Sequence, residues 1–88
     1  MARMRPARPV ADFKHANGET MTFHIPIGSE VVIHRANQMN QRYIFRGGPP
    51  WQYEDEHGVM HEDPFKDGYH SLTITPPGSG STYYTPKS

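Results

Sequence analysis

With 88 residues, the chain is long enough for one domain and too short for two independent cores. It contains no cysteine, which excludes disulfides, thiolate metal sites and cysteine nucleophiles. The formal net charge is zero, so no excess of positive charge drives binding to nucleic acid. No apolar run approaches the roughly 20 residues that a membrane span requires, and the basic start lacks the apolar stretch of a secretory signal.

The zero net charge hides a division between the two halves of the chain. Residues 1–50 carry seven basic and three acidic side chains, giving +4, whereas residues 51–88 carry two basic and six acidic ones, giving −4. Such halves can attract each other within one chain, between copies or on a charged partner, or they can be two solvated faces with no further role.

The first nine residues are predicted to be an extended basic arm. They hold Arg3, Arg5 and Arg8 together with two prolines. Proline disfavours a helix, and the apolar content is too low for this segment to fold alone.

Two strands are predicted around the Asn17-Gly18 dipeptide, because these residues suit the positive backbone angles of a tight hairpin. In the second strand, apolar residues alternate with polar ones from Met21 to Ile27. Pro26 cannot donate a ladder hydrogen bond, so we expect this strand at a sheet edge or with a bulge there.

The next two strands are predicted on either side of a polar loop in which Asn37 or Asn40 takes a turn conformation. In the sequence RYIFR, Tyr43 and Phe45 share one face of the strand and the two arginines share the other. The aromatic residues are therefore expected in the core, and the arginine face is expected to be wet and basic.

The acidic stretch 51–65 is predicted to be a hairpin. Trp51 and Tyr53 alternate inward, and Gly58 tolerates a positive φ in the turn. The carboxylates of this hairpin alternate between its faces, so their adjacency in sequence does not define a catalytic cleft.

The histidines raise the question of a metal site. Chelation by His57 and His61 would need both imidazoles and a carboxylate to converge at about 2 Å from one ion. In a hairpin that turns at His57 they lie apart, and we expect His61 to contact Glu54 across the strands instead. We therefore predict no metal and no cofactor. His24 and His34 become neighbours, and a pH-sensitive pair, only if the second and third strands pair.

A sixth strand is predicted in YHSLTIT, followed by a loop rich in proline, glycine and serine and by the tail TYYTPKS. The tail carries Tyr83 and Tyr84 and has no core of its own. A short extended segment of this kind can add itself to a sheet edge of its own chain or of a neighbour.

Six short strands between glycine, proline and asparagine turns predict an all-β fold, either a small antiparallel sandwich or a partly open barrel, with extended N- and C-terminal arms. The predicted organisation is a basic arm at 1–9, a single domain at 10–76 and an extended tail at 77–88.

The sequence predicts that the protein is not an enzyme. No serine lies in a G-x-S-x-G turn, and phosphate loops of the G-x-x-x-x-G-K form are absent. Binding of nucleic acid is an alternative, since arginines on an arm and on a sheet can contact phosphates. The residues for that alternative are Arg3, Arg5, Arg8, Arg35, Arg42 and Arg46.

The function that these features favour is non-catalytic binding or assembly with other protein subunits, as a homo-oligomer or a larger hetero-assembly such as a virion or a multisubunit complex. A further alternative is a small inhibitor that binds a host enzyme. We expect a soluble protein made inside the cell, without a signal peptide and with no membrane partner. The predicted partner-binding residues are Arg3, Arg5, Arg8, Glu54, Asp55, Glu56, Tyr83 and Tyr84.

Overall fold

The computed structural model describes residues 10–14, 20–48 and 50–85. Within these ranges the chain forms eight β-strands and no helix, so the predicted all-β fold is confirmed. It follows that the described part of the chain offers no helix long and apolar enough to cross a membrane. The predicted arm at 1–9 and the last three residues of the tail lie outside the described residues.

The first two strands form a sheet of their own. β1 (Val10–Lys14) pairs antiparallel with β2 (Thr20–His24), as the hairpin prediction requires. The turn predicted at Asn17-Gly18 lies outside the described residues.

The second strand is shorter than the alternation of its side chains predicts. β2 ends at His24, whereas the prediction continued it to Ile27. Pro26 has no N–H for a ladder, and its carbonyl oxygen accepts hydrogen bonds from the Ser29 backbone N–H at 3.2 Å and from the Ser29 hydroxyl at 2.7 Å. The chain turns at Gly28, whose φ is +96°. Ile25 therefore enters the core from outside any strand, and Ile27 lies in the turn.

The other six strands form one open antiparallel sheet in the order β6-β5-β4-β3-β7-β8. The strands are β3 (Glu30–His34), β4 (Gln41–Gly47), β5 (Gln52–Glu54), β6 (Met60–His61), β7 (Ser71–Thr75) and β8 (Thr82–Tyr84). β3 pairs with β4 and β7, so it has no side left for β2. The condition for a pair of His24 and His34, which is pairing of the second and third strands, is therefore not met.

The core lies on one face of this sheet. Apolar residues on this face lie directly opposite one another in neighbouring strands. Val31 lies opposite both Tyr43 and Ile74, and Phe45 lies opposite Tyr53. Residues that face one another in this way form the basic packing unit of a sheet. The buried cluster contains Ile25, Val31, Ile33, Tyr43, Phe45, Tyr53, Phe65, Tyr69, Leu72 and Ile74, with Trp51 and Tyr84 packed against it.

A covering loop, residues 62–70, supplies two of these core residues from outside the sheet. Phe65 meets Tyr53 edge to face with ring centroids 5.1 Å apart, and Tyr69 meets Phe65 at 6.1 Å. Both geometries are favourable for aromatic pairs. The apolar face is therefore closed by a loop.

The opposite face, the polar face of the sheet, carries charged side chains, with the apolar Val32 and Ile44 between them. Arg42 pairs with Glu30 at 3.0 Å and Arg46 pairs with Glu54 at 2.7 Å. The predicted division of the fourth strand is confirmed, because Tyr43 and Phe45 are buried and both arginines are exposed. The basic first half and the acidic second half of the chain thus meet at Arg46 and Glu54 within one molecule.

Candidate protein-binding surface

The C-terminal strand β8 is held in place by a hairpin with β7. The backbone N–H of Ser79 donates to the Pro76 carbonyl at 3.1 Å, and Gly78 has a φ of +71°. The hydroxyls of Thr75 and Ser81 share a hydrogen bond of 2.6 Å. The sequence left open whether the tail adds to a sheet of its own chain or of a neighbour. In this structure the tail pairs with the chain's own sheet.

Tyr83 and Tyr84, both predicted partner residues, have different surroundings. Tyr84 lies opposite Leu72 and packs against the core, so it belongs to the domain. Tyr83 lies opposite Thr73 on the polar face, is 61% exposed, and has its ring centroid 6.3 Å from that of His34. Adjacent residues of a strand point to opposite faces, which is the reason for the difference. Tyr83 is therefore the more exposed of the two, and Tyr84 is partly buried against the core.

The two edges of the six-stranded sheet differ in their protection. Proteins guard edge strands against pairing by making them short, by placing charges on them and by bulges. β6 is two residues long, and Glu56, Glu62 and Asp63 lie close to it in the sequence. β8 is the last strand on the other side, and the whole run of residues 71–85 contains no charged residue. This charge-free run was visible in the sequence, but its meaning depends on β8 being an edge.

The acidic hairpin was also predicted to bind a partner. Its fold is confirmed: β5 and β6 pair antiparallel, Gly58 has a φ of +81°, and Trp51 and Tyr53 lie toward the core. Within its turn, the Gly58 backbone N–H donates to the Asp55 carbonyl at 3.1 Å and the Asp55 N–H donates to the Val59 carbonyl at 2.9 Å.

Asp55 is the residue that holds this turn. Its side-chain Oδ1 accepts hydrogen bonds from the backbone N–H groups of His57 at 2.8 Å and Val59 at 2.9 Å, and His61 Nε2 lies 2.8 Å from Oδ2. The bond from His61, followed by the one from Val59, lowers the pKa of Asp55 from 3.8 to about 2. The carboxylate of Asp55 is therefore engaged inside the hairpin.

The predicted contact between Glu54 and His61 is wrong. Glu54 lies opposite Met60 on the polar face, where it pairs with Arg46. His61 lies opposite Tyr53, on the other face. A shift of one residue in register exchanges the faces of a strand, and the sequence did not fix that register. Among Glu54, Asp55 and Glu56, only Glu56 has no hydrogen bond or ion pair with another described residue.

A polar cleft of about 530 Å³ lies beside this hairpin. It is lined by Arg35, Gln38, Gln41, Tyr43, His61, Glu62, Asp63, Pro64, Lys66 and Asp67. The His61 ring meets Tyr43 edge to face at 5.4 Å, and burial raises the pKa of Tyr43.

An imidazole oriented by a carboxylate, as in His61 and Asp55, can act as a general base when a nucleophile lies within reach. The described residues lining the cleft include no serine, threonine or cysteine, and a tyrosine with a raised pKa ionises less readily. No group of three metal-ligating side chains occurs among the described residues either.

Three of the six arginines assigned to nucleic-acid binding lie among the described residues, and all three contact other parts of the chain. Arg35 donates to two backbone carbonyls of the covering loop and to the side chain of Gln41. Arg42 and Arg46 share the polar face, each with an acidic neighbour. Residues 1–9, with the other three arginines, lie outside the described residues.

Comparison of the chain with protein-family models, with curated proteins and with solved structures found no match.

Proposed function

We propose that this protein is a non-catalytic assembly protein that binds another protein chain by adding a strand to the outer side of β8. The observation that carries the proposal is the difference between the two edges of the sheet. Both edge strands are short, with two residues in β6 and three in β8, but β6 lies among acidic residues whereas β8 lies within a run of fifteen uncharged residues, 71–85. An edge without charge is a template for pairing with a further strand.

Strand addition uses the backbone for affinity and the side chains for specificity. The exposed ring of Tyr83 supplies apolar area beside the edge, and tyrosine is enriched at protein interfaces. The core face contributes Tyr84, whose position is fixed by its contact with the core. A partner strand on β8 would thus lie beside one aromatic ring on each face of the sheet.

The described lining of the polar cleft contains no serine, threonine or cysteine that His61 could activate, and we count this in favour of a non-catalytic role. The charge pairs on the polar face support a role other than binding phosphates, because Arg42 and Arg46 already have acidic partners.

Selection from a library of random peptides tests the proposal. Peptides of about eight residues cover an ordinary strand. We expect the immobilised chain to enrich extended sequences rich in β-branched and aromatic residues, and Tyr83→Lys to lose them because a charge then stands on the edge. Val59→Lys is the matched control, since Val59 is 53% exposed and lies in the turn before β6. The proposal is contradicted if the unchanged chain, Tyr83→Lys and Val59→Lys enrich the same peptides equally. It is also contradicted if none of them enriches any peptide.

A further inference from the structure

We infer that the strand added at β8 is β8 of a second copy, so that two copies form one continuous antiparallel sheet about a twofold axis at Tyr83. The inference rests on the proposed strand addition and names its partner.

Symmetry restricts such a pair to registers in which one residue lies opposite its own copy. Centring the pair on Tyr83, the middle residue of β8, pairs all three residues of the strand. A twofold axis perpendicular to the sheet keeps the core faces of both copies on the same side, and residues directly opposite each other share a face. Tyr83 then lies opposite Tyr83 of the second copy, and Thr82 lies opposite Tyr84 of the second copy. This register joins polar face to polar face and core face to core face, in agreement with the exposure of Tyr83 and the core contact of Tyr84.

Charge favours a second copy over a charged partner. Across a twofold axis every charge near the axis meets its own image, so a self-pairing strand must be free of charge or carry balanced pairs. Residues 71–85 meet this condition, since they contain no charged side chain. The same residues offer no charge to attract an acidic or basic strand.

The other edge stops the assembly at two copies. Pairing through β8 leaves β6 at both ends of the joined sheet, and β6 has only two residues. A second pairing there would bring Glu56, Glu62 and Asp63 close to their own images, which is unfavourable. The arrangement is therefore a closed dimer, in which the same surface of each copy is used.

Because the chain has no cysteine, cross-links report the register directly. Directly opposed residues have Cα atoms about 4.5–5.5 Å apart, within the range that a disulfide spans. We expect Tyr83→Cys to give a disulfide-linked dimer on mild oxidation, and an equimolar mixture of Thr82→Cys and Tyr84→Cys to give the mixed dimer in excess over either self-dimer. Val59→Cys, exposed in the turn before β6, is the control that should give no disulfide-linked dimer, because Val59 lies away from the paired strands.

Sedimentation of the full chain at rising concentration gives the second measurement. We expect a dimer that Tyr83→Lys weakens about tenfold or more, because two lysines then face each other across the axis, and that Val59→Lys leaves unchanged. A dimer that survives Tyr83→Lys, or one without the Tyr83→Cys cross-link, overturns pairing through β8.

The outcomes separate this inference from the proposed function. A monomer at every concentration that still binds library peptides in a Tyr83-dependent way overturns the second copy as partner and leaves strand addition intact. A monomer that binds no peptide overturns both.

Discussion

Arg35 donates from Nε to the carbonyl oxygen of Gly68 at 2.8 Å, which ties the end of β3 to the covering loop. The same guanidinium donates to the carbonyl of Pro64 at 2.6 Å and to the side chain of Gln41. The covering loop places Phe65 in the core and closes the apolar face. The side chain of Arg35 therefore holds this loop in position.

Replacing Arg35 with alanine should therefore cost more than removing an arginine from the polar face. We expect Arg35→Ala to lower the free energy of unfolding by about 2–3 kcal/mol, because hydrogen bonds from a charged donor are lost and two loop carbonyls lose a partner. Arg42→Ala, which breaks an exposed pair with Glu30, should cost less than about 1 kcal/mol. Urea unfolding of both variants measures the difference, and equal losses would show that Arg35 does not hold the loop.

The hydrogen bonds to Asp55 predict how stability depends on pH. The pKa of Asp55 is lowered from 3.8 to about 2 in the folded chain, so its contribution to stability is present above pH 3.8 and is lost as the pH falls toward 2. We expect the urea midpoint of the unchanged protein to fall more steeply over this interval than that of Asp55→Asn, which keeps an acceptor oxygen and cannot titrate. NMR titration of the side-chain carboxyl carbon measures the pKa itself.

His61→Ala tests the cause of the lowered pKa of Asp55, since the hydrogen bond from His61 is its largest cause. It should move the pKa of Asp55 back toward its ordinary value. A midpoint near 3.8 in the unchanged protein would sink the assignment of Asp55 as the residue that holds the turn.

The structural features that the sequence predicts correctly are set by residues adjacent in the sequence. The burial of Tyr43 and Phe45 follows from the period-two alternation of RYIFR, and Gly58 takes a positive φ because the turn of a hairpin requires it. Of Asn37 and Asn40, the two asparagines expected to form a turn, Asn37 has a φ of +59° for the same reason. Local patterns decide these positions, so they are readable without knowledge of the tertiary fold.

The features that the sequence does not predict depend on pairing between distant segments. The neighbours of β3 are β4 and β7, which no local pattern of β3 reveals. The partner of His61 depends on a register that a shift of one residue would change. Between Phe45 and Gly47 the register of β4 with β5 also shifts, which no residue pattern announced.

In the candidate site, too, the sequence predicts what depends on adjacent residues and does not predict what depends on distant ones. That Tyr83 and Tyr84 face opposite ways is implied by adjacency in a strand. That Tyr84 faces the core follows only from its place opposite Leu72.

Two glycines of the loop between β7 and β8 give a matched test of its backbone. Gly78 has a φ of +71° and Gly80 does not have a positive φ, while a Cβ added at either would meet no atom within 4 Å. We expect Gly78→Ala to destabilise the protein by about 1 kcal/mol through backbone strain alone, and Gly80→Ala to be neutral or slightly stabilising. Thermal unfolding of the two variants compares them, and an equal effect would contradict the positive φ at Gly78.

Phe65 tests whether the covering loop is part of the core. Its side chain is 1% exposed and contacts the rings of Tyr53 and Tyr69, so truncation leaves a cavity that a sheet on one side cannot close. We expect Phe65→Ala to cost about 3–5 kcal/mol, a large part of the stability of a domain of this size, and Phe65→Leu to cost less because it conserves most of the volume. Val59→Ala, at a site 53% exposed, should stay within about 0.5 kcal/mol. A loss of unfolding free energy for Phe65→Ala no larger than that for Val59→Ala, measured by urea unfolding, would show that the loop is a surface feature. Another element, such as the surface of a second protein, would then have to bury the apolar face.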